Sequence, residues 1–181
     1  MSSVINPVSD VKVATYHIPR HGRYPNSDAD NKPLVHYKSL FRKGAGKDAI
    51  KDHLAKVNVI QPQWTYTMYP TDHFHTTCHE AIVILSGSAL LAFGGVENPR
   101  KVELEVEQGD ALLIPAGMSH KQVRELGTKV FDMLGAYEIG AEHWDMCYGR
   151  EEEGDTGQRI KRVGWFKQDP FYGEGGPATK L

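Results

Sequence analysis

One short stretch holds three histidines and a carboxylate: His73-Phe74-His75-Thr76-Thr77-Cys78-His79-Glu80. On an extended backbone successive side chains alternate between faces, so His73 and His75 share one face and their imidazoles can reach a single point. Glu80, entering the next strand after a tight turn, can close on that point, and imidazole with carboxylate suits Fe, Mn, Ni, Cu or Zn rather than Mg or Ca. His79 alternates to the other side of its strand, which leaves Glu80 as the favoured carboxylate. Histidines two apart also occur as an exposed pair on a strand edge. A second segment weighs against that reading here: residues 109–120, from Gly109-Asp110 through Pro115-Ala116-Gly117 to His120, read as turn, strand, tight turn and a histidine opening a further strand.

The elements that must position these residues are β-strands. From about Trp64, apolar β-type runs at 65–69, 81–85, 89–93, 102–106, 111–114 and 130–134 are separated by Gly, Pro, Asn and Asp at near-regular spacing, the pattern of a sandwich or barrel. Val102, Leu104 and Val106 alternate with Glu103 and Glu105, marking a strand with one wet face. Residues 81–85 are apolar throughout and should be covered on both faces. Ala81, Val83 and Leu85 lie opposite Glu80, so a second subunit is expected as that cover, in a two-fold homodimer. Ile50, Leu54 and Val57 fall on one side of an amphipathic helix at 47–57. Pro7, Pro19, Pro25 and Pro33 make residues 1–35 an extended arm. After Gly135 the chain is irregular. Two aromatic, glycine-rich pieces there, Trp144-Asp145-Met146-Cys147-Tyr148-Gly149 and Asp169-Pro170-Phe171-Tyr172-Gly173, are expected to wrap back and bury their rings on the barrel. The chain thus reads as one domain: arm and helix 1–62, barrel 63–137, wrapping segment 138–181.

Composition narrows the function. Among 181 residues, 21 Lys and Arg against 23 Asp and Glu leave a formal charge of −2, with no excess positive charge to draw nucleic acid or anionic lipid. The longest uncharged apolar stretch, 81–96, is broken by Ser86-Gly87-Ser88 and is shorter than the roughly 20 residues a membrane helix needs. The N-terminus lacks the basic and apolar regions of a signal peptide, and Cys78 and Cys147 make no disulfide framework, so the cytoplasm is expected. The ending Thr179-Lys180-Leu181 stands one residue from the S-K-L peroxisomal address, a weaker alternative. Gly44-Ala45-Gly46-Lys47 lacks the spacing of a phosphate-binding loop and reads as a flexible helix entry. Cys78, in a turn with no evident base, reads as a packed residue.

The two histidine segments together resemble the cupin family. Its first motif, H-x-H-x(3,4)-E-x(6)-G, is met by His73, His75, Glu80 and Gly87, while its usual leading glycine falls on Thr67. Its second, G-x(5)-P-x-G-x(2)-H-x(3)-N, is met by Gly109, Pro115, Gly117 and His120, with Arg124 at the final Asn. Neither departure touches a ligand position. The resemblance implies an all-β double-stranded β-helix of six to eight strands, a cupin or jelly-roll barrel, here with an N-terminal arm, one helix and an irregular C-terminal tail. It also implies one divalent transition metal, Fe, Mn, Ni or Zn, on His73, His75, Glu80 and His120. From about 35 to 177 the chain looks like the small single-domain cupins of the YjlB type, which share its H-x-H-T-T-x-H-E, W-D-M-x-Y-G and D-P-x-Y-G segments.

Two functional readings follow. The first is a metal-dependent enzyme acting on a small organic molecule, a dioxygenase-like oxidoreductase ahead of a lyase or isomerase. Glu80 would then be a ligand and, swung off the metal, a catalytic base, with Tyr66, Met68 and Met133 as pocket walls. The second is a non-catalytic cupin that binds a small ligand or uses the metal for stability alone. A buried site of mixed imidazole and carboxylate destabilises a fold unless it is used, which favours the enzyme.

Overall fold

The period-two pattern of residues 80–86 organises the molecule. The computed structural model describes residues 3–181. Its elements are β1 (Lys12–Tyr16), β2 (Leu34–Lys38), α1 (Lys47–Val57), β3 (Ile60–Tyr66), β4 (Glu80–Ser86), β5 (Ser88–Phe93), β6 (Val102–Glu107), β7 (Ala111–Ile114), β8 (His120–Leu126), β9 (Asp132–Glu138) and α2 (Thr156–Ile160). A six-stranded sheet runs β1-β2-β7-β4-β9-β3 and a three-stranded sheet runs β6-β5-β8. Every pairing is antiparallel. On β4, Ile82 and Ile84 join Leu91, Phe93 and Leu112 in the layer between the sheets. Ala81 and Val83 face outward into a second buried cluster with Ile50 and Leu54 of α1 and with Phe166 and Phe171 of the tail. The result is the expected all-β jelly-roll barrel.

Three expectations change. The region read as an arm supplies β1 and β2, which extend the larger sheet through β7, and β3 begins at Ile60, so the barrel is wider than 63–137 and has nine strands among the described residues. β2 was hidden because its five residues, Leu-Val-His-Tyr-Lys, lack alternation: it is buried on both faces, and His36 is made tolerable inside by Asp110 at 3.0 Å. Second, the apolar outer face of β4 is covered by this chain's own helix and tail, so the burial that pointed to a second subunit is met within one chain. Third, the tail carries a short helix of its own, α2, opened by the Asp155 side chain accepting from the Gln158 N–H at 3.2 Å.

The tail is clasped to the barrel by one buried side chain. Oδ1 of Asp169 accepts the N–H groups of Phe171 (2.8 Å) and Tyr172 (3.0 Å), while Oδ2 accepts the Tyr37 hydroxyl (2.7 Å) and the Ala178 N–H (2.8 Å). That piece buries Phe171 as expected, edge-on to Tyr37 and Phe41. No helix among the described residues is long and apolar enough to cross a membrane.

Candidate metal centre

Backbone pairing, more than any single residue, places the histidines. Residue 73 forms a bridge with His120 and Phe74 forms one with Cys147, so His73 and His75 point to one face while Phe74 goes into a buried cluster on the other. His120 arrives after the turn 115–118, closed by Met118 N–H to Pro115 carbonyl at 3.1 Å, with Gly117 at φ +88° where a side chain would be strained. Glu80 opens β4 on the same face as Ile82 and Ile84 and so looks inward. The structure therefore brings together all four residues singled out from the sequence. One ring nitrogen from each of His73, His75 and His120 lies within 4.8 Å of the others. Glu80 Oε1 is 3.4 Å from Nε2 of His75 and Oε2 is 3.2 Å from Nε2 of His120.

The tautomers follow from the partners. A carbonyl only accepts, so each Nδ1 facing one must carry the ring proton. His73 Nδ1 donates to the Thr71 carbonyl at 2.8 Å, His120 Nδ1 to the Met118 carbonyl at 2.9 Å, and His75 Nδ1 to the Asp145 carbonyl. A neutral ring is then left with its Nε2 lone pair aimed inward. Nε2 of His120 is buried with no hydrogen-bond partner, its approach to Glu80 being close but misaligned. Inward lone pairs, outer nitrogens held by carbonyls, an orphaned buried nitrogen and a buried carboxylate are the donor set a divalent transition ion fits.

Electrostatics point the same way. Burial, then the neighbouring His120, brings His73 down to about 3. Burial also opposes charge on His75, but the Glu80 carboxylate and the bonds to Glu80 and Asp145 outweigh it and raise its pKa. Burial would raise Glu80, yet His75 and His120 hold it well below the usual carboxylate range. Glu80 and a proton on His75 thus favour one another, and an ion bound there would compete with that proton.

Two residues of the site escaped the sequence reading. Tyr137, directly across from Glu80 on β9, donates its hydroxyl to Glu80 Oε1 at 2.7 Å and accepts from Trp64 Nε1 at 3.0 Å. Burial, then the Glu80 charge, pushes its hydroxyl far up, so it stays protonated and serves as a donor. Period two from Met133, already singled out as a wall, would have reached Gly135 and Tyr137. Asp145 was missed as well. Its carboxylate accepts from the Thr76 N–H (2.6 Å) and hydroxyl (2.5 Å), which holds residues 144–149 beside His75. That segment does more than bury rings: Trp144 and Met146 line the cavity over the histidines.

Gly135 has a steric role in this arrangement. It pairs with Trp64 across β3 and β9, and a Cβ there would fall 2.0 Å from the indole. Gly135→Ala is expected to push Trp64 off Tyr137 and cost about 1–3 kcal/mol, measured by urea unfolding alongside a changed tryptophan emission. An unchanged emission spectrum would count against this packing.

His79 stands apart, as expected from its strand parity. Its Nδ1 accepts from the Ala116 N–H at 2.9 Å and its Nε2 donates to the Gly164 carbonyl at 3.2 Å, with Trp165 against the ring. Burial brings its pKa from 6.5 to about 4. The unfolded chain therefore takes up this proton first: His79 contributes stability above about pH 6.5 that is lost as pH falls toward 4, on the order of 3 kcal/mol in all. In metal-free protein, His79→Gln should flatten part of the stability slope between those pH values. A slope equal to that of the unsubstituted protein would refute the assignment.

No family model matches the chain. The uncharacterized protein YjlB of Bacillus subtilis is 29% identical over 168 residues, covering 92% of this chain and 94% of YjlB. Along nearly its whole length the chain is thus similar to YjlB. Two solved structures of B. subtilis oxalate decarboxylase variants overlap 64% of this chain, at 14% and 16% identity and TM-scores of 0.36 and 0.40. The overlap spans 22% and 28% of those chains, about a quarter of that enzyme, and bears on neither substrate nor reaction.

Proposed function

We propose that this cupin is a mononuclear metal-dependent enzyme acting on a small organic molecule, with dioxygenase-like oxidation ahead of lyase or isomerase chemistry. The observation that carries the reading is the convergence of three imidazoles whose Nδ1 protons are all committed to backbone carbonyls, beside a buried carboxylate and in the wall of a cavity of about 320 Å³. His73, His75, His120 and Glu80 would hold the ion, which would act as a Lewis acid or, if redox-active, in oxygen chemistry.

The chain's own residues supply the rest. Tyr137 holds Glu80 Oε1, so Oε2, beside His120, is the oxygen that would face the ion or, swung off it, exchange a proton with a bound molecule. Met68, Met133 and Ile82 line the cavity with apolar surface that limits water at that carboxylate. Tyr66, one of the walls expected from the sequence, stands at the mouth, 58% exposed.

The test is metal content after purification without chelator, followed by oxygen uptake with diketones, flavonols, catechols and thiols. About one equivalent of Fe, Mn, Ni or Zn is expected, with uptake that depends on one of these compounds. Turnover without oxygen uptake would assign lyase or isomerase chemistry. Metal far below stoichiometry would leave a binding or structural cupin.

A further inference from the structure

The cavity beside the histidines has a chemical character that the metal reading does not specify. Its walls are aromatic and thioether: Trp64, Tyr66, Tyr69 and Trp144 with Met133 and Met146. Among the described residues, no Lys or Arg lines it. The nearest basic group in sequence to the histidines, Lys121, pairs with Asp72 at 3.8 Å, and Arg124 lies exposed on β8. A bound anion could therefore be balanced only by the ion at the histidines. With three neutral imidazoles and the Glu80 carboxylate around it, a divalent ion keeps one positive charge, enough for a single ionised group on a ligand. A second negative charge would be buried among rings and thioethers with no partner, an arrangement that costs several kcal/mol.

We propose that the cavity takes a flat, apolar molecule bearing at most one ionised group, and that it rejects dianions such as small dicarboxylates. The count of charge rests on the metal reading above, whereas the preference for an apolar, ring-shaped body rests on the walls alone. Aromatic faces and flexible thioethers complement such a body, and a volume of about 320 Å³ is at the low end for small-molecule sites. Tyr66 and Tyr69, 58% and 49% exposed with ring centroids 6.1 Å apart, form an aromatic rim at the entrance.

Calorimetric titration of the metal-loaded protein with 2-naphthol, naphthalene-2,3-dicarboxylate and oxalate tests this, with metal content measured on the same samples. Binding of 2-naphthol is expected to be stronger than that of either dianion by roughly tenfold or more. Trp144→Ala should weaken 2-naphthol by roughly tenfold at unchanged metal content. Met146→Lys, which adds an ammonium to the wall, should narrow the gap to the dicarboxylate. Either dianion binding as tightly as 2-naphthol to fully loaded protein would overturn the proposal. If the protein takes no metal yet keeps the same ranking, the metal reading falls while the ligand class stands on the walls.

Discussion

Replacing His75 with Ala is expected to take the protein from about one bound metal per chain to less than about a tenth. Of the three imidazoles, His75 is the one that meets both Glu80 and the tail: its Nε2 lies 3.4 Å from Glu80, and its Nδ1 reaches the Asp145 carbonyl 70 residues away. Its loss removes one donor and leaves His120 as the one imidazole paired with Glu80, beside the Tyr137 hydroxyl. Any stabilisation by the ion disappears with it, about 4 kcal/mol where free metal is a thousandfold above its dissociation constant. The control is His79→Gln, four residues on, whose ring faces Gly164 and Trp165 and which should keep its metal. Metal affinity of the unsubstituted protein should also fall as pH drops through the histidine range, because a protonated imidazole cannot coordinate. Full occupancy in a folded His75→Ala protein, measured by elemental analysis, would move the ion elsewhere or remove it from the account.

The second large effect is structural. Asp169→Ala should destabilise the protein by about 3–5 kcal/mol, because it strips four donors of one buried acceptor group. The Tyr37 hydroxyl and the Phe171 and Ala178 N–H groups belong to fully buried residues. Tyr37→Phe removes one of those bonds and should cost only about 1 kcal/mol. Equal losses for the two variants in denaturant unfolding would mean that the clasp is a single bond and not a hub. Asp169→Ala should also loosen the packing of Phe171 against Phe41, and with it the outer cover of β4.

The contrast between these two residues shows what a sequence can disclose. His73, His75, Glu80 and the Pro-Gly turn before His120 were legible because strand parity and turn chemistry are local rules. The alternation of Ala81 and Val83 against Ile82 and Ile84 was legible for the same reason. What stayed hidden works through distant contacts. Tyr137 meets Glu80 across 57 residues, Trp64 meets Tyr137 across 73, and Asp145 meets Thr76 across 69. No spacing encodes such pairs. The prolines of the N-terminal region leave no α-helix among its described residues, only two short 3-10 turns, but they fell outside β1 and β2 and could not bar short strands. The apolar face of β4 needed a cover; the pattern demanded burial and was silent on whose residues would provide it.

Residues 144–149 are where the candidate metal centre and the tail become one thermodynamic system. The Asp145 carbonyl orients His75, while the Asp145 carboxylate anchors the segment to Thr76. Docking this segment and filling the site are therefore linked equilibria, and linkage is reciprocal: whatever free energy the ion adds to the docked tail, the docked tail adds to the affinity for the ion. A protease that cuts between β9 and this segment would report on metal occupancy, and a metal titration would report on the tail.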